Sequence, residues 1–190
     1  MYSLLIDTHL DSVVIVLYKD GKEITTNEVN SKSGHSEVAM PLIKDVLKTN
    51  KINIKDISEI ITVIGPGSFT GIRIGVTIAK TLSYTLNIPI KTITSLEIKA
   101  VNLSGNKIVA ISDKNGKYIG KFNENNILIE DYSYIPKSLI DIKNIIENVE
   151  INYDDIYEFL RNRSYTNVHE IKPLYVKKIE VEKWFAMLQI

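Results

Sequence analysis

Apolar runs at the start of the chain predict a three-strand antiparallel meander. Residues 2–7 and 12–18 are almost continuously apolar, and residues 22–29 alternate between apolar and polar side chains. Asp20-Gly21 separates the second run from the third, and this dipeptide is a common hairpin turn. The first thirty residues are therefore expected to form neighbouring strands in chain order.

The pattern then changes to a helical period. Apolar residues recur every three or four positions over residues 36–49, which predicts an amphipathic helix, although Pro41 fits poorly in a helix interior. A strand is predicted at 59–64, a second helix at 71–86 and a further strand at 88–93. Strands that alternate with helices after a meander indicate the α/β class.

The second half of the chain predicts a smaller unit. Its expected elements are strands at 107–112, 117–122 and 126–131, a hairpin turn at Asn115-Gly116, helices at 137–147 and 153–161, and a strand-like segment at 174–176. The polar stretch 102–106 marks a boundary. We therefore expect a first lobe at 1–101, a shortened second lobe at 102–168, and a C-terminal segment at 169–190 that packs back on the first lobe.

Composition excludes several classes of function. The 190 residues contain 23 Lys plus Arg and 23 Asp plus Glu, so the basic excess of a dedicated nucleic-acid binder is missing. The absence of cysteine excludes disulfides, thiolate metal sites and cysteine nucleophiles. His9, His35 and His169 show no metal-ligand spacing, so a catalytic metal centre is not expected.

Targeting signals are not recognised in the sequence. Residues 1–10 lack the basic region and cleavage site of a signal peptide. The longest apolar candidate, residues 72–86, is interrupted by Arg73 and Lys80 and is too short to span a bilayer. A cytoplasmic location without membrane contact is therefore expected.

The segment Gly65–Gly75 (GPGSFTGIRIG) follows a predicted strand and opens a predicted helix. Its glycine spacing fits neither the P-loop nor the dinucleotide-binding fingerprint. Two interpretations stay open. The loop could bind an anion through backbone N–H groups at the helix N-terminus, or it is a tight turn capped by Ser68 or Thr70.

Small residues recur at every fourth position of that helix and form one row: Gly71, Gly75, Ala79 and Ser83. Such a row lets another backbone approach closely, and a glycine inside a helix costs about 1 kcal/mol against alanine. The other faces of the helix are also largely apolar, so the helix must be buried on more than one side. The row therefore faces either helix 36–49 of this chain or a helix of a partner.

Two further positions could carry chemistry. Asp7-Thr8 ends the first strand, where a carboxylate and a hydroxyl could hold a nucleotide phosphate through Mg²⁺ or could simply form a turn. Ser68 is a weak candidate nucleophile because Gly-x-Ser-x-Gly is not satisfied, and His35 would be its base only if the fold brought the two together.

Taken with its surroundings, the segment Gly65–Gly75 resembles the signature of the TsaB (YeaZ) family. The accompanying matches are Ala79-Lys80, Ile6-Asp7-Thr8, His35-Ser36-Glu37 with Pro41-Leu42, Pro89 with Thr94-Ser95-Leu96, and Lys172–Lys178. The resemblance is specific over residues 4–97 and thin over 98–170. His9 departs from the small or hydroxyl residue that is frequent at its position in the family.

This resemblance implies an actin-like, sugar-kinase and Hsp70-type fold of the ribonuclease H-like kind, with two lobes of mixed sheet and helices. It also implies a non-catalytic paralogue of TsaD, which it would activate for threonylcarbamoylation of adenosine 37 in tRNAs reading ANN codons. The implied partners are TsaD, the TsaE ATPase, tRNA through the complex, and a second copy when the chain is alone. The partner surface would contain Glu37, Met40, Leu42, Gly71, Gly75, Ala79 and Ser83.

Under the same resemblance no tightly bound cofactor is expected, and ATP or ADP with Mg²⁺ could lie at the partner interface. Two alternatives from other classes stay open. One is an autonomous ATP-binding or ATPase protein of the actin-like superfamily that uses Asp7, Thr8 and the loop 65–70. The other is a peptidase. The partner interpretation predicts that Gly75→Leu weakens the heterodimer and leaves the isolated fold largely intact.

Overall fold

The first sheet of the chain is mixed and has five strands. The structure, a computed structural model, describes residues 1–31, 34–140 and 143–177. The strands are β1 (Tyr2–Asp7), β2 (Ser12–Lys19), β3 (Lys22–Asn30), β4 (Ile57–Val63) and β5 (Ile90–Ile93). Their order is β3-β2-β1-β4-β5, with β1 antiparallel to β2 and parallel to β4. The predicted meander is confirmed, and Asp20-Gly21 turns it with φ angles of 51° and 85°.

Helices cover both faces of this sheet, which explains its continuous apolar runs. α1 (His35–Thr49) and α2 (Phe69–Leu86) pack on one face, against side chains such as Leu4 and Ile6. α4 (Tyr153–Leu160) packs on the other face, where Leu5 and Tyr18 lie. Both α1 and α2 confirm the predicted helices, and α1 runs through Pro41.

A second sheet follows, with the strand order β8-β7-β6-β9. Its strands are β6 (Lys107–Ser112), β7 (Gly116–Phe122), β8 (Leu128–Pro136) and β9 (Ile145–Ile146). β6 is antiparallel to β7 and parallel to β9, which repeats the arrangement of the first four strands of the first sheet in shorter form. α3 (Ser95–Val101) lies between the sheets. Its Ile98 packs with Leu5 of the first sheet, and its Leu96 packs with Val109 of the second. The predicted α/β class with two related sheets is confirmed.

Two local predictions were wrong, and one helix was missed. The helix expected at 137–147 is instead a 3₁₀ turn at Lys137–Leu139 followed by β9, which pairs with β6 through two isoleucines. β-Branched residues favour strands, so the isoleucines of β9 are more stable when paired with the free edge of β6 than in a helix. Residues 174–176 form no strand. α3 was missed, although Thr94 and Glu97 form a capping box at its start.

The segment around residues 171–177 touches both sheets. Ile171 packs on the first sheet, in the same cluster as Leu4. The Leu174 N–H donates to the Ile64 carbonyl at 2.8 Å. Lys177 reaches the second sheet, where its ammonium lies 3.7 Å from the Asp113 carboxylate. The prediction that the C-terminal segment packs back on the first lobe extends to residues 178–190, which lie outside the described residues. The lobe boundaries stay a prediction.

Candidate partner surface and cleft

The row of small residues on α2 faces into the chain. Gly71, Gly75, Ala79 and Ser83 are all buried. A Cβ built on Gly71 would lie closer than 3.0 Å to the Thr8 carbonyl oxygen, and one on Gly75 equally close to the Thr8 hydroxyl. The close approach therefore serves the end of β1 of this same chain. The predicted neighbours of the row were helix 36–49 or a partner helix, and the structure instead places Gly71 and Gly75 against Thr8.

The exposed side of α2 forms a groove with α1. It has a volume of about 430 Å³ and is lined by Ser36, Met40, Phe69, Thr70, Arg73, Ile74, Thr77 and Ile78. Met40 is 47% exposed and Phe69 53% exposed, and because both line the same groove they belong to one apolar patch. Of the residues predicted for a partner surface, Met40 lines this groove and Glu37 is exposed beside it, whereas Leu42 is buried. We call this surface the helical groove.

A stacked arginine lines the helical groove. The Arg73 guanidinium lies 3.8 Å from the centre of the Phe69 ring, and its Nε donates to the Tyr175 hydroxyl at 2.7 Å. The two rings are themselves 5.5 Å apart. The groove thus combines an apolar floor with a fixed cationic group. None of these three residues was predicted for the partner surface. The rarity of arginine, with three in the whole chain, was the signal available for Arg73.

A separate cleft lies between the first sheet, α3 and residues 147–153, with a volume of about 510 Å³. Its polar floor is formed by a histidine and an aspartate. The Asp7 carboxylate accepts a hydrogen bond from the His9 backbone N–H at 3.0 Å and contacts His9 Nδ1 at 2.6 Å. Both side chains are more than nine-tenths buried. Asp7 therefore lines a cleft, with one oxygen of its carboxylate already engaged by His9.

The remaining groups predicted for phosphate binding are also engaged within the chain. The Thr8 hydroxyl is fully buried and donates to the Gly71 carbonyl at 2.7 Å. Ser68 caps α2 through the Gly71 N–H, which confirms the capped-turn interpretation of the loop, and its own N–H donates to the His9 carbonyl. The Gly65 carbonyl accepts from the Ser95 N–H at 3.0 Å. Thr8, Ser68 and one oxygen of the Asp7 carboxylate are thus already bonded within the chain.

Two charged side chains on the cleft wall, Glu147 and Lys99, have shifted pKa values. The Glu147 carboxylate pairs with Lys117 and accepts from the Ser112 hydroxyl, and these bonds lower the pKa of Glu147. The Lys99 ammonium donates to the Glu147 carbonyl oxygen. Burial lowers the pKa of Lys99, since desolvation disfavours its charged form.

The candidate nucleophile and base are not arranged as a pair. Ser68 is committed to its cap, whereas His35 Nε2 contacts the Leu10 carbonyl at 2.6 Å and the Ser31 hydroxyl at 3.2 Å. His169 lies elsewhere, edge-on to Tyr84. Within the described parts of the chain, no group of three His, Asp or Glu side chains could hold a metal ion. Among the same residues, no helix is both long and apolar enough to cross a bilayer.

The sequence of this chain is similar to those of known proteins. A family model of TsaD, the tRNA N6-adenosine threonylcarbamoyltransferase, matches residues 23–120. The tRNA threonylcarbamoyladenosine biosynthesis protein TsaB of Buchnera aphidicola subsp. Acyrthosiphon pisum is 31% identical over 181 residues, which are 90% of this chain and 80% of that protein. This chain belongs to the TsaB (YeaZ) family. The predicted resemblance is confirmed.

Other relatives fit this TsaB assignment. The Bacillus subtilis TsaB protein is 41% identical over 102 residues, 54% of this chain and 44% of that protein. The match to the TsaB protein of Buchnera aphidicola subsp. Schizaphis graminum covers 62% of its length, so the chain spans less than two thirds of both. The solved structure of YeaZ from Pseudomonas aeruginosa has a TM-score of 0.77 at 16% identity and covers 92% of this chain and 99% of that one. This structural likeness establishes the fold.

Proposed function

We propose that this TsaB-family chain takes part in forming threonylcarbamoyladenosine in tRNA as a non-catalytic subunit. In this proposal it binds a TsaD-like transferase and activates it for adenosine 37 of tRNAs that read ANN codons. A TsaE-like ATPase joins the complex, and tRNA is contacted through the transferase. The names of the relatives support the pathway, and the match to the TsaD family model fits a paralogous partner.

The helical groove is the observation that carries the binding role. Its large apolar side chains, Met40 and Phe69, are about half exposed, and Ile74 and Ile78 continue the apolar floor between them. An apolar groove between two helices accepts a helix of a partner. The interface is thus proposed at the exposed side of α1 and α2, with Glu37 at its rim. The predicted small residues contribute by holding α2 in place from behind.

The engaged state of the candidate catalytic groups supports the non-catalytic part of the proposal. Thr8, Ser68 and His35 each bond to other groups of the chain, so none is presented to a substrate in this structure. The autonomous ATPase alternative uses Asp7, Thr8 and the loop 65–70. The Thr8 hydroxyl donates to the Gly71 carbonyl, and the Ser68 N–H of the loop donates to the His9 carbonyl. The peptidase alternative needs a nucleophile and base that meet, and Ser68 and His35 do not.

Reconstitution tests the function. TsaD, TsaE and the synthase that makes threonylcarbamoyl-adenylate are purified from the same source, and tRNA modification is measured with and without this chain. We expect modification to depend on the chain, while the chain alone turns over no ATP. Equal modification without it would overturn the activating role and leave only shared ancestry.

A surface variant tests the interface. Met40→Asp places a charge on the groove floor, and burying an unpaired carboxylate in an apolar contact should weaken TsaD binding about tenfold or more. Ile127→Asp is the matched control, since Ile127 is 61% exposed in a turn of the second sheet. Affinities are measured by calorimetry and stability by urea unfolding. Unchanged binding by folded Met40→Asp would refute the groove as the interface. The predicted homodimer is tested with the same pair by sedimentation.

A further inference from the structure

Arg73 places a positioned cation beside the apolar floor of the helical groove. Its guanidinium carbon lies 3.8 Å from the centre of the Phe69 ring, and its Nε donates to the Tyr175 hydroxyl at 2.7 Å. An arginine side chain carries five N–H donors, and this bond uses one of them. The two terminal nitrogens have no hydrogen-bond acceptor among the described residues. They are therefore available to an acceptor that a partner supplies, on a group that stacking already orients.

The groove contains no counter-charge for this cation. The residues that line it include no Asp or Glu, and no ion pair in the described part of the chain involves Arg73 or the nearby Glu37. Arg73 is exposed, so water solvates its charge in the free chain. A partner that covers Met40 and Phe69 would remove much of this water, and a buried charge without a counter-charge is costly. A stable interface at the groove therefore needs a carboxylate from the partner.

We propose that the helical groove binds an amphipathic helix of the TsaD-like partner that carries an Asp or Glu opposite Arg73. The two oxygens of this carboxylate accept hydrogen bonds from the two terminal guanidinium nitrogens, a geometry that arginine provides and lysine does not. Apolar side chains on the same face of the helix cover Met40, Ile74 and Ile78. The inference rests on the proposed function, because it specifies the chemistry of the partner at the same interface.

Arg73→Gln tests the charge pair, with TsaD affinity measured by calorimetry at low and at high NaCl concentration. We expect binding to weaken about thirtyfold or more, because the partner carboxylate is left buried and unpaired. Salt should weaken the binding of the unchanged chain more than that of Arg73→Gln, since it screens the charge pair. Arg161→Gln is the matched control, because Arg161 is in an exposed pair at the end of α4, and it should bind as the unchanged chain does.

A charge swap tests the carboxylate itself. Arg73→Glu sets two negative charges against each other and should bind unchanged TsaD more weakly than Arg73→Gln does. The exposed Asp and Glu residues of TsaD are then changed singly to Lys. We expect one of these TsaD variants to restore binding to Arg73→Glu and to lose affinity for the unchanged chain. Urea unfolding of each variant shows that the substitutions leave the fold intact.

Three results would overturn the inference. If Arg73→Gln binds TsaD as tightly as the unchanged chain while Met40→Asp binds weakly, the groove is the interface and no carboxylate pairs with Arg73. If Arg73→Gln binds weakly but keeps the full salt dependence, and no Lys variant of TsaD rescues Arg73→Glu, the guanidinium contributes packing alone. If the unchanged chain does not bind TsaD, both the proposed function and this inference are wrong.

Discussion

Gly75 offers a sharp test of whether the small-residue row serves the chain's own interior. The structure predicts that Gly75→Ala destabilises the isolated protein, which reverses the expectation that even leucine would be tolerated there. The added Cβ would lie closer than 3.0 Å to the Thr8 hydroxyl oxygen, which is fully buried. Neither α2 nor the end of β1 can yield without disturbing the hydrogen bond from Thr8 to Gly71.

The expected magnitude follows from three opposing effects. Overpacking a buried site costs about 1–3 kcal/mol. Disturbing the buried hydrogen bond costs about 1 kcal/mol more, whereas the better helix propensity of alanine returns about 1 kcal/mol. The free energy of unfolding should therefore fall by about 1–3 kcal/mol.

A double-mutant cycle isolates the contact. Thr8→Ala removes the hydroxyl that the new Cβ would meet, so Gly75→Ala should be nearly neutral in that background. We expect a coupling free energy of about 2 kcal/mol, measured by urea unfolding with circular dichroism. Thr85→Ala, on the exposed side of the same helix, is the control and should combine additively with Thr8→Ala. Additive behaviour of Gly75→Ala with Thr8→Ala would refute the assigned contact.

Two further predictions concern charged contacts. The Arg163 guanidinium donates to both oxygens of Glu97 and to the Thr92 carbonyl, so Arg163→Lys should lower the free energy of unfolding by about 1–2 kcal/mol, measured in urea. Arg161→Lys is the control, because Arg161 is in an exposed ion pair. Equal losses in the two variants would contradict the prediction. The pKa of Glu147 is lowered in the folded chain, so its stabilisation is complete above the ordinary value of 4.5 and is lost as the pH falls through the lowered pKa. Glu147→Gln should therefore be more destabilising near about pH 7 than near about pH 3, and a pH-independent difference would contradict this.

Much of the first sheet could be predicted from local patterns. Continuous apolar runs marked strands that are buried on both faces, and the Asp-Gly turn fixed the hairpin between β2 and β3. The periodicity of α1 and α2 was equally clear. The helix prediction for residues 137–147 was wrong because a run rich in isoleucine fits a helix and a strand alike. Pairing with the free edge of β6 favours the strand at Ile145–Ile146.

The direction in which the small-residue row faces could not be predicted. α2 is apolar around most of its circumference, so its sequence does not say which side meets the chain and which is free. The deciding partner, Thr8, is 63 residues away from Gly71. The cleft is a similar case, because Asp7 and His9 are neighbours in sequence, whereas Glu28 and Glu150 come to line the same cleft only through the fold.

These contacts give the Gly65–Gly75 segment a structural explanation. Its loop bonds to the first turn, its glycines admit Thr8, and Ser68 starts the helix. The depth at which α2 sits against β1 then sets how far its opposite side projects beside α1. A larger residue at position 75 would thus alter the helical groove only indirectly, by displacing α2. Partner binding and stability should therefore change together in Gly75→Ala and separately in Met40→Asp, because only the second residue is on the exposed side.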